Sequence, residues 1–398
     1  VPARADAVRE PRSRRVIRST VARVDLAALQ ANFKSIQDFV HPRTPAPSHP
    51  APHPRVIAVV KANAYGHGAA RVALALEQVG ADLFACADIE EGVALRQAGV
   101  RAPILIFGAL SVSNLDGVFD GTLTPTISTP SAAKALQAAA ARRGVQLGYH
   151  LKIDTGMNRL GFRHDNLQRT LPDLLASPNL RLEAMYTHFA TADVPGSEVF
   201  EAQTRNFEEA SKAVASGFSR KIPRHACNSA ALLRDSRVWY DLVRPGLLLY
   251  GIVPPPMAST IPLQPVMSLT SRVVAVKGLR PGEGVGYGWK YQAEEPRTIA
   301  VVPAGYADGL DLRLSGRGHV LIRGRRVPIV GAVSMDMITV DVTDCGDVTP
   351  GDEVVIIGRQ GDESWQQIDV REMAAAIGTI PWEIVCRIGT RIERQYSE

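Results

Sequence analysis

Short apolar runs alternate with amphipathic stretches from residue 56 to residue 250. Eight runs have the length and the β-branched or aromatic character of buried strands: 56–61, 83–87, 103–108, 124–128, 148–154, 182–189, 223–227 and 242–250. The stretches between them have helical spacing, as at 69–79, 89–98, 131–143 and 198–215. Eight strand-helix units over about 200 residues predict an α/β domain with the TIM (β/α)8 barrel fold. In that fold the functional groups lie on the loops at the carboxyl ends of the strands.

The pattern changes after the prolines at 254–256. Beyond residue 263 the segments are short, β-branched and punctuated by Gly and Pro, with one helical stretch at 370–377. We therefore predict a barrel domain at 21–255 and a mostly β domain at 256–398.

The first 55 residues contain three kinds of sequence. Residues 24–40 have apolar side chains three and four apart and predict an amphipathic helix. Residues 41–55 hold six prolines in fifteen positions and predict an exposed, polyproline-like loop. Residues 1–20 predict a flexible basic arm. In residues 1–23 the arginines exceed the two acidic residues, Asp6 and Glu10, by five, and this excess equals the chain's net charge of +5. The remainder is neutral, so we expect no nucleic-acid partner.

Composition excludes several classes of protein. The 398 residues are 45% hydrophobic and 21% charged, which is enough apolar material for large cores. No apolar run approaches the roughly 20 residues that span a bilayer, and no apolar segment follows the basic N-terminus as in an export signal. We therefore expect a cytoplasmic protein without a membrane partner. The four cysteines form no Cys-x-x-Cys pair, so neither a disulfide framework nor a metal site is predicted.

Lys61 ends the first predicted strand and is the first candidate for chemistry. A lysine after an apolar run is usually a solvated strand terminus. Here Asn63, Tyr65, His67 and two glycines follow within a few residues, a set that suits a pocket better than a surface. A nucleophilic amine must be partly desolvated to lose its proton near neutral pH, and a strand-end lysine in a barrel meets that need.

Other candidates follow the later apolar runs. Lys152 lies inside the fifth run and needs a compensating partner, and Arg159 follows seven residues later, although both could be surface charges. Asn228 and Ser229 follow the seventh run at the start of a helix, where capping alone could explain them. The eighth run contains Arg244 in an Arg-Pro-Gly sequence. Loops after barrel strands seven and eight commonly bind phosphate.

Eight motifs stand in a fixed order along both predicted domains: AVVKANAYGHG, LKIDTGMNRLG, MYTHFATAD, HACNSAALL, VRPGLLLYG, VGYG, GYADG and VSMDM. In order and spacing they resemble the alanine racemase family of fold-type III enzymes that use pyridoxal 5'-phosphate (PLP), over roughly residues 20–395. The resemblance implies an isomerase that interconverts L-alanine and D-alanine and supplies D-alanine for peptidoglycan. It also implies a homodimer with shared active sites.

The resemblance further implies a role for each matching residue. Lys61 would hold PLP as a Schiff base and act as one catalytic base, and Tyr287 would be the second. The other residues that would bind the cofactor are Tyr65, His188, Asn228, Ser229, Arg244, Gly246 and Leu247. The residues that would bind substrate are Arg159 and, from the partner subunit, Tyr306 and Met335. Lys152 would be carbamylated and would orient Arg159.

Chemical reasons support these residue types. Racemisation needs two bases on opposite sides of the α-carbon, and a phenol with an ordinary pKa of about 10 needs a nearby cation to act as one. Arg159 is the candidate cation. Arg244 would face the pyridine nitrogen of PLP with His188 behind it, and a guanidinium keeps its protons, which favours racemisation over transamination or elimination.

One position departs from the family pattern. Thr390 stands where many relatives have a tyrosine near the substrate methyl group, so a racemase of broader specificity that also accepts serine is an alternative. A non-catalytic PLP-binding barrel is a second alternative, but such a protein would lack the β domain and Tyr287. A fold-type III decarboxylase would need a late Cys-Asp motif, which this sequence lacks.

Overall fold

The computed structural model describes residues 18–41, 54–110, 115–361 and 365–398. The predicted basic arm and Pro-rich loop lie almost entirely outside these residues. Two compact units are present. The barrel unit comprises Val24–Met267, Asp369–Ile388 and Tyr396–Glu398, and the β unit comprises the residues up to Arg23, Ser268–Ile368 and Gly389–Gln395. Among the described residues, no helix has the length and apolar character needed to cross a membrane.

The barrel unit contains a parallel sheet that closes on itself. Its strands, in spatial order, are Arg55–Val56, Leu242–Val243, Arg224–His225, Leu180–Tyr186, Leu147–Asp154, Thr124–Ile127, Ile104–Ile106, Phe84–Cys86 and Ala58–Val59. The first and last are two halves of one extended segment. Ile57 N donates to Val243 O at 2.8 Å and Ala58 N donates to Leu83 O at 2.9 Å, so this segment bonds to both edges. The predicted TIM barrel is confirmed.

Helices and apolar side chains cover both faces of these strands. Ile57, Ala58 and Val60 are fully buried, which explains why the run has no polar alternation. The helices of the barrel unit are Leu26–Val40, Lys61–Tyr65, Ala69–Gln78, Ile89–Gln97, Asp116–Asp120, Pro130–Arg143, Leu167–Thr170, Pro172–Leu175, Glu198–Ala215, Ser229–Arg234, Val370–Ile377 and Pro381–Cys386. Its 3-10 turns are His164–Asn166, Ser236–Val238 and Leu247–Tyr250, and the short strand Phe162–Arg163 pairs beside Leu147–Asp154.

Several elements of the barrel unit differ from the sequence prediction. The strand predicted at 242–250 ends at Val243, because Pro245 has no N–H to donate and the chain then enters the 3-10 turn Leu247–Tyr250. The first helix begins at Leu26 because Asp25 caps it, accepting a hydrogen bond from Ala28 N at 2.8 Å. The helix Pro381–Cys386 is unpredicted, since six residues carry little periodicity.

The second unit is mostly β, as predicted, and its strands pair mainly in antiparallel fashion. Its sheet has the strand order Ala275–Leu279, Arg297–Val302, Ile338–Asp341, Arg325–Val330, His319–Ile322, Glu353–Gln360, Met267–Arg272, Val21–Asp25 and Glu393–Ser397, with Gln366–Ile368 beside Glu353–Gln360. Short 3-10 turns connect these strands: Tyr287–Trp289, Tyr306–Asp308, Leu312–Leu314 and Thr343–Cys345. The prediction missed the strand Val21–Asp25, which precedes the first helix and belongs to this sheet.

A hydrogen-bonded pair of histidines lies inside the barrel. Because a guanidinium only donates, Arg244 Nη1 at 2.8 Å makes His225 Nδ1 an acceptor, and His225 Nε2 then carries the hydrogen. Nε2 donates to Nδ1 of His150, 3.0 Å away. The ring of Tyr186 stacks on His225 with centroids 4.6 Å apart. Burial lowers the pKa of His150 to about 3, and the charge of Arg244 adds to the effect. Both histidines are therefore neutral at physiological pH.

We expect His150 to make stability depend on pH. Below a pH of about 6.5 the unfolded chain binds a proton at this residue, whereas the folded chain binds it only near pH 3. Between these values the free energy of unfolding therefore falls by about 1.4 kcal/mol for each unit by which the pH is lowered, for this one histidine. His150→Asn keeps an acceptor near the Nδ1 position and removes the titration. Urea unfolding between pH 6 and 4 should show a shallower loss of stability for this variant. The control Thr339→Ser, at a half-buried position of the β unit whose side chain does not titrate, should keep the wild-type slope; equal slopes for both variants would contradict the assignment.

Candidate active site

The barrel strand 55–59 leads into a turn of unusual handedness, which we call the lysine turn (residues 61–65). Ala62, Asn63, Ala64 and Tyr65 have φ between 51° and 55°, the left-handed region. That conformation costs an L-residue on the order of 1–2 kcal/mol, so four in succession need external support. The support comes from Glu91, whose Oε1 accepts hydrogen bonds from Ala62 N at 2.6 Å and Asn63 N at 3.4 Å.

The chain leaves the lysine turn through Gly66, which has a φ of 82°. A Cβ at this position would lie 2.2 Å from the carbonyl oxygen of Val385. Only glycine fits this close approach, so the helix Pro381–Cys386 packs directly against the lysine turn. The same helix carries Cys386, whose thiol, when ionised, raises the pKa of Lys61; burial raises the pKa of this thiol itself.

The amine of Lys61 is half-buried in cationic surroundings. Removal from water lowers its pKa below the ordinary lysine value, and the charge of Arg159 adds to that effect. Arg244 acts in the same direction more weakly, whereas Cys386 and Glu91 oppose it. The arrangement therefore favours a neutral, nucleophilic amine at the carboxyl end of the first barrel strand.

Ser229 and Gly246 meet beside Tyr65. Ser229 Oγ accepts hydrogen bonds from the N–H of Gly246 at 3.0 Å and of Leu248 at 3.5 Å. Asn228, not Ser229, caps the helix that follows, accepting from Ala231 N at 2.9 Å, so the capping explanation holds for Asn228 alone.

Tyr65 reaches the same place from the lysine turn. A Cβ on Gly246 would lie 2.6 Å from Tyr65 Oη, so the absence of a side chain at this position makes room for the phenol. Leu247 follows directly, at the start of the 3-10 turn. The loops after the first, seventh and eighth strands thus converge, as the sequence predicts.

Arg244 is a buried cation, and no carboxylate of the described residues pairs with it. Its Nη2 donates to the carbonyl oxygens of Thr187 and Ala226, at 2.9 and 2.8 Å, and lies 3.4 Å from His188 Nδ1. Burial lowers its pKa to about 10, so it remains charged at neutral pH. Burial is the main reason why the pKa of His188 lies well below the ordinary value, and the charge of the same guanidinium adds to the effect.

Lys152 is buried in the strand Leu147–Asp154, as the sequence predicts. Within the part of the chain that the structure describes, no ion pair to it is found, and its Nζ lies 5.5 Å from the ring centroid of Tyr186. Burial first, and then the charge of Arg159, lowers its pKa to about 8. Arg159 is exposed, and its charge acts on both Lys61 and Lys152, so all three belong to one electrostatic cluster.

The β unit carries the remaining candidates on its surface. The exposed fractions of Tyr287, Tyr306 and Met335 are 78%, 46% and 52%. Tyr306 N donates to Ser334 O at 3.0 Å, so the segments of Tyr306 and Met335 are adjacent. A Cβ on Gly286 would lie 3.9 Å from Ala332 backbone atoms, which places the Tyr287 turn beside the same loop.

An ion cluster centred on the buried carboxylate of Asp308 adjoins this surface. The carboxylate of Asp308 pairs with Arg18 at 2.6 Å and with Arg391 at 3.4 Å, and Arg391 also pairs with Asp336 at 2.7 Å. These contacts fix the exposed residue Thr390, which precedes Arg391, beside the segments of Tyr306 and Met335.

Sequence reasoning missed Glu91, His150 and His225. Glu91 stands in the sequence Asp-Ile-Glu-Glu, which has the spacing of a capping box, and that signal could have drawn attention to it. The histidines gave no signal, because a single histidine in an apolar strand is usually a core residue.

Comparison with known proteins agrees with this geometry. The family descriptions "Alanine racemase, N-terminal domain" and "Alanine racemase, C-terminal domain" match residues 24–254 and 266–396. A protein of Symbiobacterium thermophilum named alanine racemase is 40% identical over 96% of this chain and 98% of its own length. Alanine racemase from D-cycloserine-producing Streptomyces lavendulae has a TM-score of 0.87 at 32% identity, covering 96% of this chain and 98% of the other. The Bacillus anthracis alanine racemase with bound L-Ala-P has a TM-score of 0.84 at 34% identity, covering 96% of each chain. This chain belongs to the alanine racemase family.

Proposed function

We propose that this chain interconverts L-alanine and D-alanine with PLP as its cofactor. The observation that carries the proposal is the half-buried Lys61 amine, whose lowered pKa suits covalent attachment of an aldehyde. The D-alanine produced would serve peptidoglycan synthesis.

The residues of the barrel unit fit PLP. Lys61, Lys152, Arg159 and Arg244 form a cationic cluster in which the charges of Arg159 and Arg244 add to burial in lowering the pKa of both lysines, and an anionic group would relieve this repulsion. PLP carries a phosphate. The candidates to hold that phosphate lie where three loops converge, and they combine two hydroxyls with backbone N–H groups: Tyr65, Ser229, Gly246 and Leu247.

Arg244 is suited to hold the ring nitrogen of the cofactor. When bound, PLP withdraws electrons and makes the α-hydrogen of an attached amino acid acidic. Arg244 presents a guanidinium that donates hydrogen bonds and keeps its protons, held by backbone carbonyls and by neutral His225. It therefore limits the electron withdrawal, which favours return of the proton to the α-carbon over side reactions.

Two groups would exchange the proton on opposite faces of the α-carbon. Lys61 Nζ would serve one face, and its lowered pKa suits an amine that alternates between accepting and donating a proton near neutral pH. Tyr287 Oη would serve the other. The exposure of Tyr287 is consistent with a residue that completes its site with another surface.

A homodimer with shared sites would supply that surface. The β unit exposes large apolar side chains on segments that adjoin one another through their backbones, including Tyr287, Tyr306 and Met335. Adjoining exposed apolar residues mark an interaction site more often than an ordinary surface. In a two-fold dimer each barrel would receive these residues from its partner.

Carbamylation of Lys152 would convert one of the buried positive charges into a negative charge. Only a neutral amine reacts with CO2, and a pKa of about 8 leaves roughly a tenth of the amine neutral near pH 7. The carbamate would replace a buried cation with an anion that pairs with Arg159 and orients it toward the substrate carboxylate.

Broader specificity is the second candidate. The exposed Thr390 is smaller than the tyrosine that many relatives have, and this difference favours acceptance of a hydroxymethyl side chain such as that of serine. A non-catalytic PLP-binding barrel is disfavoured, since the C-terminal family match covers residues 266–396.

The central test is a D-amino-acid oxidase-coupled assay of the purified protein with a panel of L-amino acids, with and without added PLP. Wild type should convert L-alanine. Lys61→Ala should lose covalently retained PLP, measured by peptide mapping after borohydride reduction, and at least about 100-fold in rate in both directions. Lys34→Ala, on an exposed face of the first helix, is the control. Retained turnover in Lys61→Ala refutes the attachment, and a serine rate equal to the no-enzyme blank removes the broader specificity.

Tyr287→Phe should slow proton exchange from L-alanine more than from D-alanine, since the two substrates use opposite bases. Deuterium exchange at the α-carbon, followed by NMR from each enantiomer, separates the two directions. We expect a loss on the order of 100-fold or more for the affected direction. Tyr291→Phe, in the same unit, is the matched control. Equal retention from both enantiomers would show that the second base lies elsewhere.

Mixing two inactive variants tests the shared site. Lys61→Ala and Tyr287→Phe chains, unfolded and refolded together, should regain up to about a quarter of wild-type activity, because half the dimers are mixed and each has one intact site. Each variant refolded alone gives the baseline. If the two residues act within one chain, the mixture stays at that baseline.

A further inference from the structure

Glu91 is a carboxylate that contacts the lysine turn but has no part in the function proposed above. We propose that Glu91 is a positioning residue for Lys61, holding the lysine turn in the left-handed shape that directs the amine toward the cofactor. The inference rests on the proposed function, in which Lys61 carries PLP.

The contacts of Glu91 fall at the start of the turn. The first internal hydrogen bond of the lysine turn runs from Ala64 N to Val60 O, at 2.9 Å, which leaves the N–H groups of Ala62 and Asn63 without partners in the turn. Both donate to Glu91 Oε1. Ala62 directly follows Lys61, so this contact fixes the backbone from which the amine extends.

Glu91 is itself fixed by its own helix. Its Oε2 accepts from Ala87 N at 2.8 Å, and its N–H donates to Oδ1 of the N-cap residue Asp88 at 2.9 Å. This arrangement resembles a capping box shifted by one residue. One carboxylate thus joins the start of the helix Ile89–Gln97 to the lysine turn, across the neighbouring strands Ala58–Val59 and Phe84–Cys86.

The other contacts of the turn do not use the N–H groups of Ala62 and Asn63. The carbonyl oxygens of these two residues accept from Gly66 N and Gly68 N, each at 2.9 Å. Asn63 Oδ1 accepts from Ala69 N at 2.8 Å, and Gly66 lies against Val385. Without Glu91, Ala62 is free to relax toward the right-handed conformation that L-residues prefer, and the Lys61 backbone turns with it.

The positioning role of Glu91 and its negative charge predict opposite effects on PLP binding when Glu91 is replaced. The charge of Glu91 opposes the burial that lowers the pKa of Lys61, so its removal alone would leave the amine more often neutral and more reactive. Loss of the contacts that hold the lysine turn instead moves the Lys61 amine away from the cofactor, so that PLP binds less tightly. The direction of the change therefore separates the two roles.

The test compares Glu91→Ala with Glu90→Ala, a neighbouring exposed glutamate on the same helical turn. In apoprotein titrated with PLP and followed by absorbance, Glu91→Ala should raise the apparent Kd at least about tenfold, the effect of losing a charge-assisted hydrogen bond, and Glu90→Ala should stay within about twofold. Thermal unfolding of the apoproteins checks that each variant folds. If Glu91→Ala fails to fold, Glu91→Gln, which keeps the size and one acceptor oxygen, should show a smaller change in the same direction.

Rescue distinguishes positioning from a general structural role. Ala62→Gly in the Glu91→Ala background should recover PLP affinity to within about threefold of wild type, because glycine adopts the left-handed conformation without a Cβ penalty. An unchanged or tighter Kd for Glu91→Ala overturns the inference, and so does a failure of Ala62→Gly to recover affinity. If Lys61→Ala retains covalently bound PLP, the proposed function is wrong, whatever the result for the Glu91 variants.

Discussion

Positive charge that has been taken out of water organises this molecule. Lys61, Lys152 and Arg244 lie at least partly buried in one barrel, and the charge of Arg159 acts on the two lysines from its exposed loop. Burial of unpaired cations is costly, and proteins accept that cost where function requires it. Backbone carbonyls and neutral imidazoles contact the guanidinium of Arg244, and no carboxylate in the described ranges pairs with it, so the region keeps its positive potential for an anionic ligand.

The barrel architecture makes this concentration of charge possible. These cations follow or lie in three different strands, and closure by the segment 55–59 brings the carboxyl ends of the strands together. The deeper layer of His150, His225 and Tyr186 contributes hydrogen bonds without charge, since burial and Arg244 keep both rings neutral. A rigid, uncharged support of this kind fixes Arg244 without neutralising it.

The sequence predicted the helices and strands that have an extended hydrophobic pattern, and it did not predict the features that depend on single contacts. The helices 198–215 and 370–377 follow from spacing alone, and the eight strands follow from apolar runs. The end of the last strand depended on Pro245, and the short helix at 381–386 on packing against Gly66. Lys61 was found because its neighbours are unusual, whereas the left-handed turn that carries it was not, because no propensity predicts four successive L-residues with positive φ.

The cap of the helix Ser229–Arg234 illustrates how neighbouring functions constrain one residue. Asparagine and aspartate cap helices about equally well, so stability alone gives no reason to choose between them. Asn228, however, adjoins Ser229 at the loop junction suited to bind phosphate. A carboxylate there would repel that ligand, whereas the amide ends the helix and adds no charge. The choice of an amide at this position therefore satisfies the folding requirement and the electrostatic requirement at once.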